Sequence, residues 1–301
     1  MKTKDWVIFW GLGGIWGTSF LWIKIAVGDV TPLVLVSFRT LFASLGLAAI
    51  LLFNHKDVPA WKELRLRLPD FVVLGVCNIA IPWALISWGQ QFIDSGIASI
   101  LNSAMPLFTI ILAPLMIKEE RITLPKVVGL VTGFIGVMAL MLPSIRGGWN
   151  DNLFGQAACL LATVFYAFST VYARKKGQGL PPTLQAFLQI STGTVLVWLI
   201  TFGVEGMPKL PTTPITWLAL VWLGLLGSCL AYIFYFYLLH RIGPMRVSLV
   251  TYVPPLIGVL LGILFLGEGF YWQAILGAVL ILSGISIVNL DKAKLVQMSV
   301  E

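Results

Sequence analysis

Long apolar stretches separated by short polar ones fill this chain from end to end. Ten windows of roughly 20 residues, the length that crosses a ~30 Å hydrocarbon layer, fall near 5–26, 32–53, 70–89, 93–117, 123–142, 152–173, 182–204, 214–239, 244–266 and 270–290. None alternates apolar and polar residues as a barrel strand does. An open strand would leave its backbone unsatisfied in lipid, so each window is predicted to be a helix. The longest connection, NHKDVPAWKELRLRLPD, is too short to bury a core of its own. The first window, within MKTKDWVIFWGLGGIWGTSFLW, starts basic but is long, rich in Trp and without a small-x-small cleavage site, and reads as a retained helix.

Composition agrees with that pattern. Hydrophobic residues make up 58% of the 301 and charged residues only 11%, with a mean hydropathy of +0.92, whereas soluble domains carry about 25% charged residues. The expected fold class is therefore an all-α membrane protein of ten transmembrane helices. The formal charge of +7 does not point to nucleic acid once its placement is considered. With the N-terminus inside, only Lys24, Arg146 and Lys209 fall on the outer side and Arg39 lies deep within a window, leaving sixteen of the twenty Lys and Arg inside. This is the positive-inside pattern, with both termini cytoplasmic. Cys77, Cys159 and Cys229 fall within windows at no paired spacing and read as small apolar packers.

The two halves, 1–150 and 151–301, match weakly but in order. Ser19, Lys24 and Pro32 correspond to Ser169, Arg174 and Pro182 at an offset of 150. Gly75, Ser99, Pro106 and Leu107 correspond to Gly224, Ser248, Pro255 and Leu256 at 149. Glu120, Gly129 and Gly136 correspond to Glu268, Gly277 and Gly284 at 148. Five helices is an odd number, so the second repeat is expected to insert upside down, an arrangement found in alternating-access transporters.

Within this order stand WGTSF (16–20) in the first helix, SFR (37–39) in the second, and EERIT (119–123) and GEGFYWQAILG (267–277) after the fourth and ninth. Over nearly its whole length the chain resembles the EamA-type transporters of the drug/metabolite transporter superfamily. FYAFS (165–169) departs from the pattern where the first half has IWGTS. The resemblance implies export of amino acids, nucleobase-like compounds, vitamins or other small metabolites. It also implies a central cavity walled by helices one, three, four, six, eight and nine.

Candidate chemistry narrows the class. All thirteen acids can be placed in connections or at helix ends, and an acid near a helix centre is the usual proton relay. A facilitator or secondary transporter of neutral or zwitterionic solutes therefore fits better than a proton-coupled drug or metabolite antiporter. A membrane enzyme fits worse still: His55 and His240 lack ligand spacing, and no HExxH or paired-aspartate pattern occurs. Glu120 and Glu268 each precede a helix whose positive end they would cap. Trp16, Asn78, Trp88, Asn102, Tyr166, Ser169, Tyr232 and Tyr252 offer amides, hydroxyls and rings for a polar solute; each alone also serves as interhelical glue. Pro106 and Pro255 act either as packed kinks or as hinges that release backbone acceptors.

Arg39 lies seven residues beyond Pro32, roughly 10 Å into its helix. Its fork could take a substrate carboxylate. The preferred expectation is structural, a tie from helix two to Asp94, Asp29 or freed carbonyls. The remaining expectations are no cofactor, no metal, a small-molecule substrate, surrounding lipid, no nucleic acid and a monomer. Orientation has a direct test: a cysteine placed at position 62 or 175 should resist an impermeant thiol reagent in intact cells, and labelling from outside would reverse the topology.

Overall fold

The computed structural model describes residues 3–53, 61–117, 123–147, 150–176, 179–269 and 271–298, and every regular element among them is helical. Ten helical segments follow one another: α1 (Thr3–Ala26), α2 (Pro32–Phe53), α3 (Trp61–Leu74, Gly75–Ala80 and Ile81–Gly89), α4 (Ser95–Asn102 and Met105–Met116), α5 (Leu124–Arg146), α6 (Asp151–Lys176), α7 (Pro182–Glu205), α8 (Pro214–Val221, Trp222–Leu230 and Ala231–Ser248), α9 (Leu249–Tyr252 and Val253–Leu266) and α10 (Trp272–Met298). Eight stretches are long and apolar enough to cross a membrane, and the shorter apolar Val250–Leu266 and Trp272–Ile287 complete ten. Both α2 and α7 start on proline, Pro32 and Pro182; a first-turn proline forfeits only an N–H that would lack a helical partner anyway.

The sequence-based boundaries differ in two places. The connection before the third window is already helical from Trp61, and Asp70, expected at a helix end, sits inside α3. There it accepts a hydrogen bond from Tyr172 Oη at 2.6 Å and lies 3.7 Å from Lys176 Nζ. Helix can extend past the apolar layer wherever its carboxylates and cations find each other. The expected break at 240–243 falls inside the helical stretch Ala231–Ser248. The chain nonetheless reverses between Phe234 and Val253. Phe234 faces Gly11 and Val253 faces Gly13, within one turn of α1, whereas 19 residues of straight helix would span about 28 Å.

Packing partners exchange between the halves. α1 packs on α9 as α6 packs on α4, α3 packs on α6 as α8 packs on α1, and α2 meets α8 as α7 meets α3. The pairs α2–α7, α4–α9 and α5–α10 map onto themselves. Residue detail follows the same exchange. A side chain at Gly75 would strike Thr192 and the Gly193 amide, and one at Gly224 would strike Phe42 and approach the Ala43 amide. Gly136 abuts the Gly277 carbonyl while Gly284 abuts the Gly129 carbonyl, the reciprocity of a two-fold contact. Ser44 bonds Thr194, its own repeat position, at 2.8 Å.

The third helix of each half contains a π-helical stretch, Gly75–Ala80 and Trp222–Leu230. In α3 it precedes Pro82, whose missing N–H and ring clash would disturb an ordinary α-turn. The fourth helix of each half is interrupted at matching depth, at Ser103–Ala104 and at Leu249–Tyr252. Pro106 lies in the first turn of the second piece of α4, and Pro254 and Pro255 in that of α9. Pro106 removes the donor that would meet the Asn102 carbonyl.

Where two backbones touch, any Cβ must push them apart. Gly136→Ala and Gly284→Ala should each lower thermal stability in detergent, by about 1–3 kcal/mol for an overpacked contact. Gly14, with nothing within 4 Å, is the control: Gly14→Ala should leave the melting temperature unchanged or slightly raised.

Candidate functional site

The centre of the bundle is organised around Arg39. Its side chain is 7% exposed, and Nε donates to Ser228 Oγ at 3.0 Å. Ser228 Oγ in turn donates to the Leu223 carbonyl at 2.9 Å. The guanidinium carbon lies 3.8 Å from the centre of the Trp83 ring. Tyr166 and Tyr232 are close enough to feel the charge, and the Tyr166 hydroxyl engages the Trp83 side chain. Asn78 Nδ2 donates to Tyr232 Oη at 3.2 Å. Helices α2, α3, α6 and α8 thus converge on one buried polar and aromatic cluster.

The expected tie to an acid is not formed. Asp29 is spent on Thr212 and Thr213, whose amides and hydroxyls donate to it. These bonds, the Thr212 hydroxyl first, hold its carboxyl down at about 2. Asp94 faces Lys24 and Glu268 instead. Among the described residues Arg39 has no carboxylate partner, and no hydrogen bond uses its outer nitrogens. Burying an ion costs several kcal/mol. A cation over a ring returns ~0.5–2 kcal/mol and a hydrogen bond to a charged group ~1.5–3 kcal/mol. The guanidinium is left short of compensation.

The other expected site residues scatter. Trp16 joins the cluster through aromatic neighbours on α8, at 5.8 Å from Tyr235, which packs on Phe236 and through it on Tyr232. Ser169 Oγ is turned back onto the Phe165 carbonyl at 2.7 Å, as its repeat mate Ser19 is onto Ile15. Trp88 is 40% exposed beside Phe92. Tyr252 points to α10, accepting from Ser286 Oγ at 3.3 Å. Asn102 Oδ1 is buried at the break in α4 with no partner. Pro255 lines a separate cavity of about 220 Å³ between α4, α9 and α10, with Asp94, Glu268 and Tyr271 at its polar end.

Glu268 does cap a helix, but not the one that follows it. Its two oxygens accept from the Ser95 and Gly96 amides of α4 at 2.6 and 3.0 Å. The helix whose amides converge on it in space is across the bundle, because Gly262 leaves room for the carboxylate to turn inward. Glu120 lies outside the described residues. Lys24 Nζ donates to the Gln90 and Ile93 carbonyls at 2.7 and 2.8 Å, closing the turn between α3 and α4.

Residues 5–142 and 153–290 each match the EamA-like transporter family. The chain belongs to that family. Two EamA matches in one chain coincide with the repeated packing, and the protein is a multi-pass membrane protein of a transporter family. An "Uncharacterized transporter" of Archaeoglobus fulgidus is 28% identical over 95% of this chain and 98% of its own length. The "Uncharacterized inner membrane transporter YedA" of Escherichia coli K12 is 28% identical over 82% of this chain and 78% of its own. A solved crystal structure shares the fold, with a TM-score of 0.68 at 18% identity over 98% of this chain and 99% of that one.

Sequence reasoning missed Trp83 and Ser228. The signal for Trp83 was present: at the offset of 149 it is the repeat position of Tyr232, just as Trp16 is that of Tyr166 at 150. Ser228 gave none, because its mate is Ile79. At the α4 mouth, Asp94 is held above the ordinary carboxylate range, first by desolvation and then by Glu268, with Lys24 opposing. A raised folded value favours the protonated form, so stability is fullest below about pH 4 and falls as pH rises through the folded value. Asp94→Asn should therefore raise the melting temperature at pH 7.5 and lose that advantage toward pH 4; a loss of stability at pH 7.5 would show that attraction to Lys24 dominates.

Proposed function

We propose that this EamA protein is a secondary transporter or facilitator that moves small metabolites such as amino acids across the cytoplasmic membrane by alternating access. Export is the direction the family resemblance favours. The observation that carries the reading is the junction at Arg39. Arg39, Asn78 and Trp83 come from the first half, and Tyr166, Ser228 and Tyr232 from the second. A solute held there would touch both halves at once, as alternating access requires. The family match argues for a carrier rather than an enzyme.

In this reading residues 1–150 and 151–301 are inverted repeats of one transmembrane domain, with both termini cytoplasmic. The exchanged contacts of α5 with α10 and of α2 with α7 support the inversion. Asn78, Tyr166 and Tyr232 form the substrate contacts, with Trp16 beside them. Asn102, Ser169, Trp88 and Tyr252 are reached only if helices move. The interruptions at Pro106 and Pro255 are the places where α4 and α9 bend, and the Glu268 contact with Ser95 and Gly96 is broken and remade as the outer side opens. The protein works as a monomer in lipid, without cofactor or nucleic acid.

Proteoliposomes loaded with a mixed metabolite pool test this directly. Selective loss of one chemical class is expected, and retention of every solute by well-folded protein would overturn it. Proton coupling is tested in the same vesicles. No described carboxylate lies in the central cluster, so an imposed pH gradient should leave the final accumulation of a neutral solute unchanged. Uphill accumulation abolished by an uncoupler would be the contrary result.

A further inference from the structure

The cluster's charge is unbalanced, and that imbalance carries information about what enters it. Both carboxylates closest in sequence-based expectation are engaged elsewhere, Asp29 by Thr212 and Thr213 and Asp94 beside Lys24. Arg39 is more than nine-tenths buried, spends only Nε on Ser228, and rests its face on Trp83. Ser228 accepts from Arg39 while donating to Leu223, so the fork is fixed on one edge and its outer edge is unspent. A ring beneath and a hydroxyl at one edge orient a guanidinium without neutralising it.

We infer that Arg39 is an anion site, and that its guanidinium receives the carboxylate of a small organic substrate. This rests on the transport reading for its purpose but not for its chemistry. Planar guanidinium and planar carboxylate match as a two-bond pair. One fixed positive charge balances one carboxylate, whereas a phosphate monoester would bring excess negative charge into a site with no described second cation. Trp83, Tyr166 and Tyr232 supply flat apolar surface and hydroxyls for the body of the molecule. The repeat position, Gln189, is also buried and has an amide nitrogen without a partner. Each half thus places a buried donor at this depth, and only the first half gives it a charge.

Binding to purified protein in detergent tests this apart from transport. Size-matched pairs, benzoate with benzamide and butyrate with butyramide, are titrated at pH 7.5 and followed by tryptophan fluorescence and melting temperature. Wild-type protein should bind the carboxylate of at least one pair about tenfold or more tightly than its amide, as a charge-assisted pair implies. Arg39→Gln should abolish the preference and Arg39→Lys should keep part of it. Equal binding within both pairs, saturable binding of neither carboxylate, or tighter binding of phenyl phosphate than of benzoate would each overturn the inference. So would a carboxylate preference that survives in Arg39→Gln. If that variant does not fold, the wild-type pairs and Arg39→Lys still decide. Carboxylate binding through Arg39 by a protein that releases nothing from loaded vesicles would sink the transport reading alone. Selective release of neutral solutes without any carboxylate preference would sink this inference alone.

Discussion

A polar group inside a bilayer has no water to turn to, and most features of this molecule follow from that constraint. Backbone groups are closed within helices. Hydroxyls along them fold back on the preceding turn, as Thr40 does on Val36 and Thr194 on Ile190. Others pair across helices, as Ser37 does with Thr201 at 2.8 Å. The first amides of α4, which have no helical acceptor, are met by a carboxylate from the α9–α10 turn. Some buried groups are left over, among them Asn102 Oδ1 and the Gln189 amide nitrogen, but the unspent edge of Arg39 is the one that carries a full charge, and it asks for a function.

Repetition meets the same constraint with fewer independent solutions. Once a glycine lets α3 lie against α7, its repeat mate lets α8 lie against α2, and one close contact is obtained twice. The scaffold is therefore the part that repeats. The central cluster keeps the repeat in its rings, Trp16 with Tyr166 and Trp83 with Tyr232, and breaks it in its hydrogen-bonding groups. Arg39 stands against Gln189, Asn78 against Gly227 and Ser228 against Ile79. Packing is served by symmetry. On the proposed transport reading a small, asymmetric solute is not, so the groups that depart from the repeat are the ones that would meet it.

The helices were legible in the sequence because span length and apolar composition are local properties, and the repeat was legible because Pro32, Pro106, Pro182 and Pro255 mark local events at helix starts and breaks. Partners were not. Whether Arg39 reaches Asp94 or Trp83 depends on the rotation of α2 about its axis, which is set by what packs against it, Trp198 and Thr201 on one side and Gly224 on another. The same limit hid the true target of Glu268. Helix dipole reasoning identified a cap correctly and assigned it to the helix next in sequence, whereas the one it meets is next in space.

The π-helical stretches set the aim of the polar groups in the central cluster. A π turn adds a residue to the helix and shifts the side chains after it around the axis, and such turns recur at functional sites. Asn78 lies within Gly75–Ala80 and Ser228 within Trp222–Leu230. Ser228 Oγ bonds the carbonyl five residues back, the spacing of the π turn itself. These two side chains make the hydrogen bonds that fix Tyr232 and Arg39. In a regular α-helix each would be rotated away from its partner. The widened turns are thus what aim the two polar groups at the junction of the halves, and the glycines at 75 and 224, which let α7 and α2 approach, are what give the widened turns room to pack.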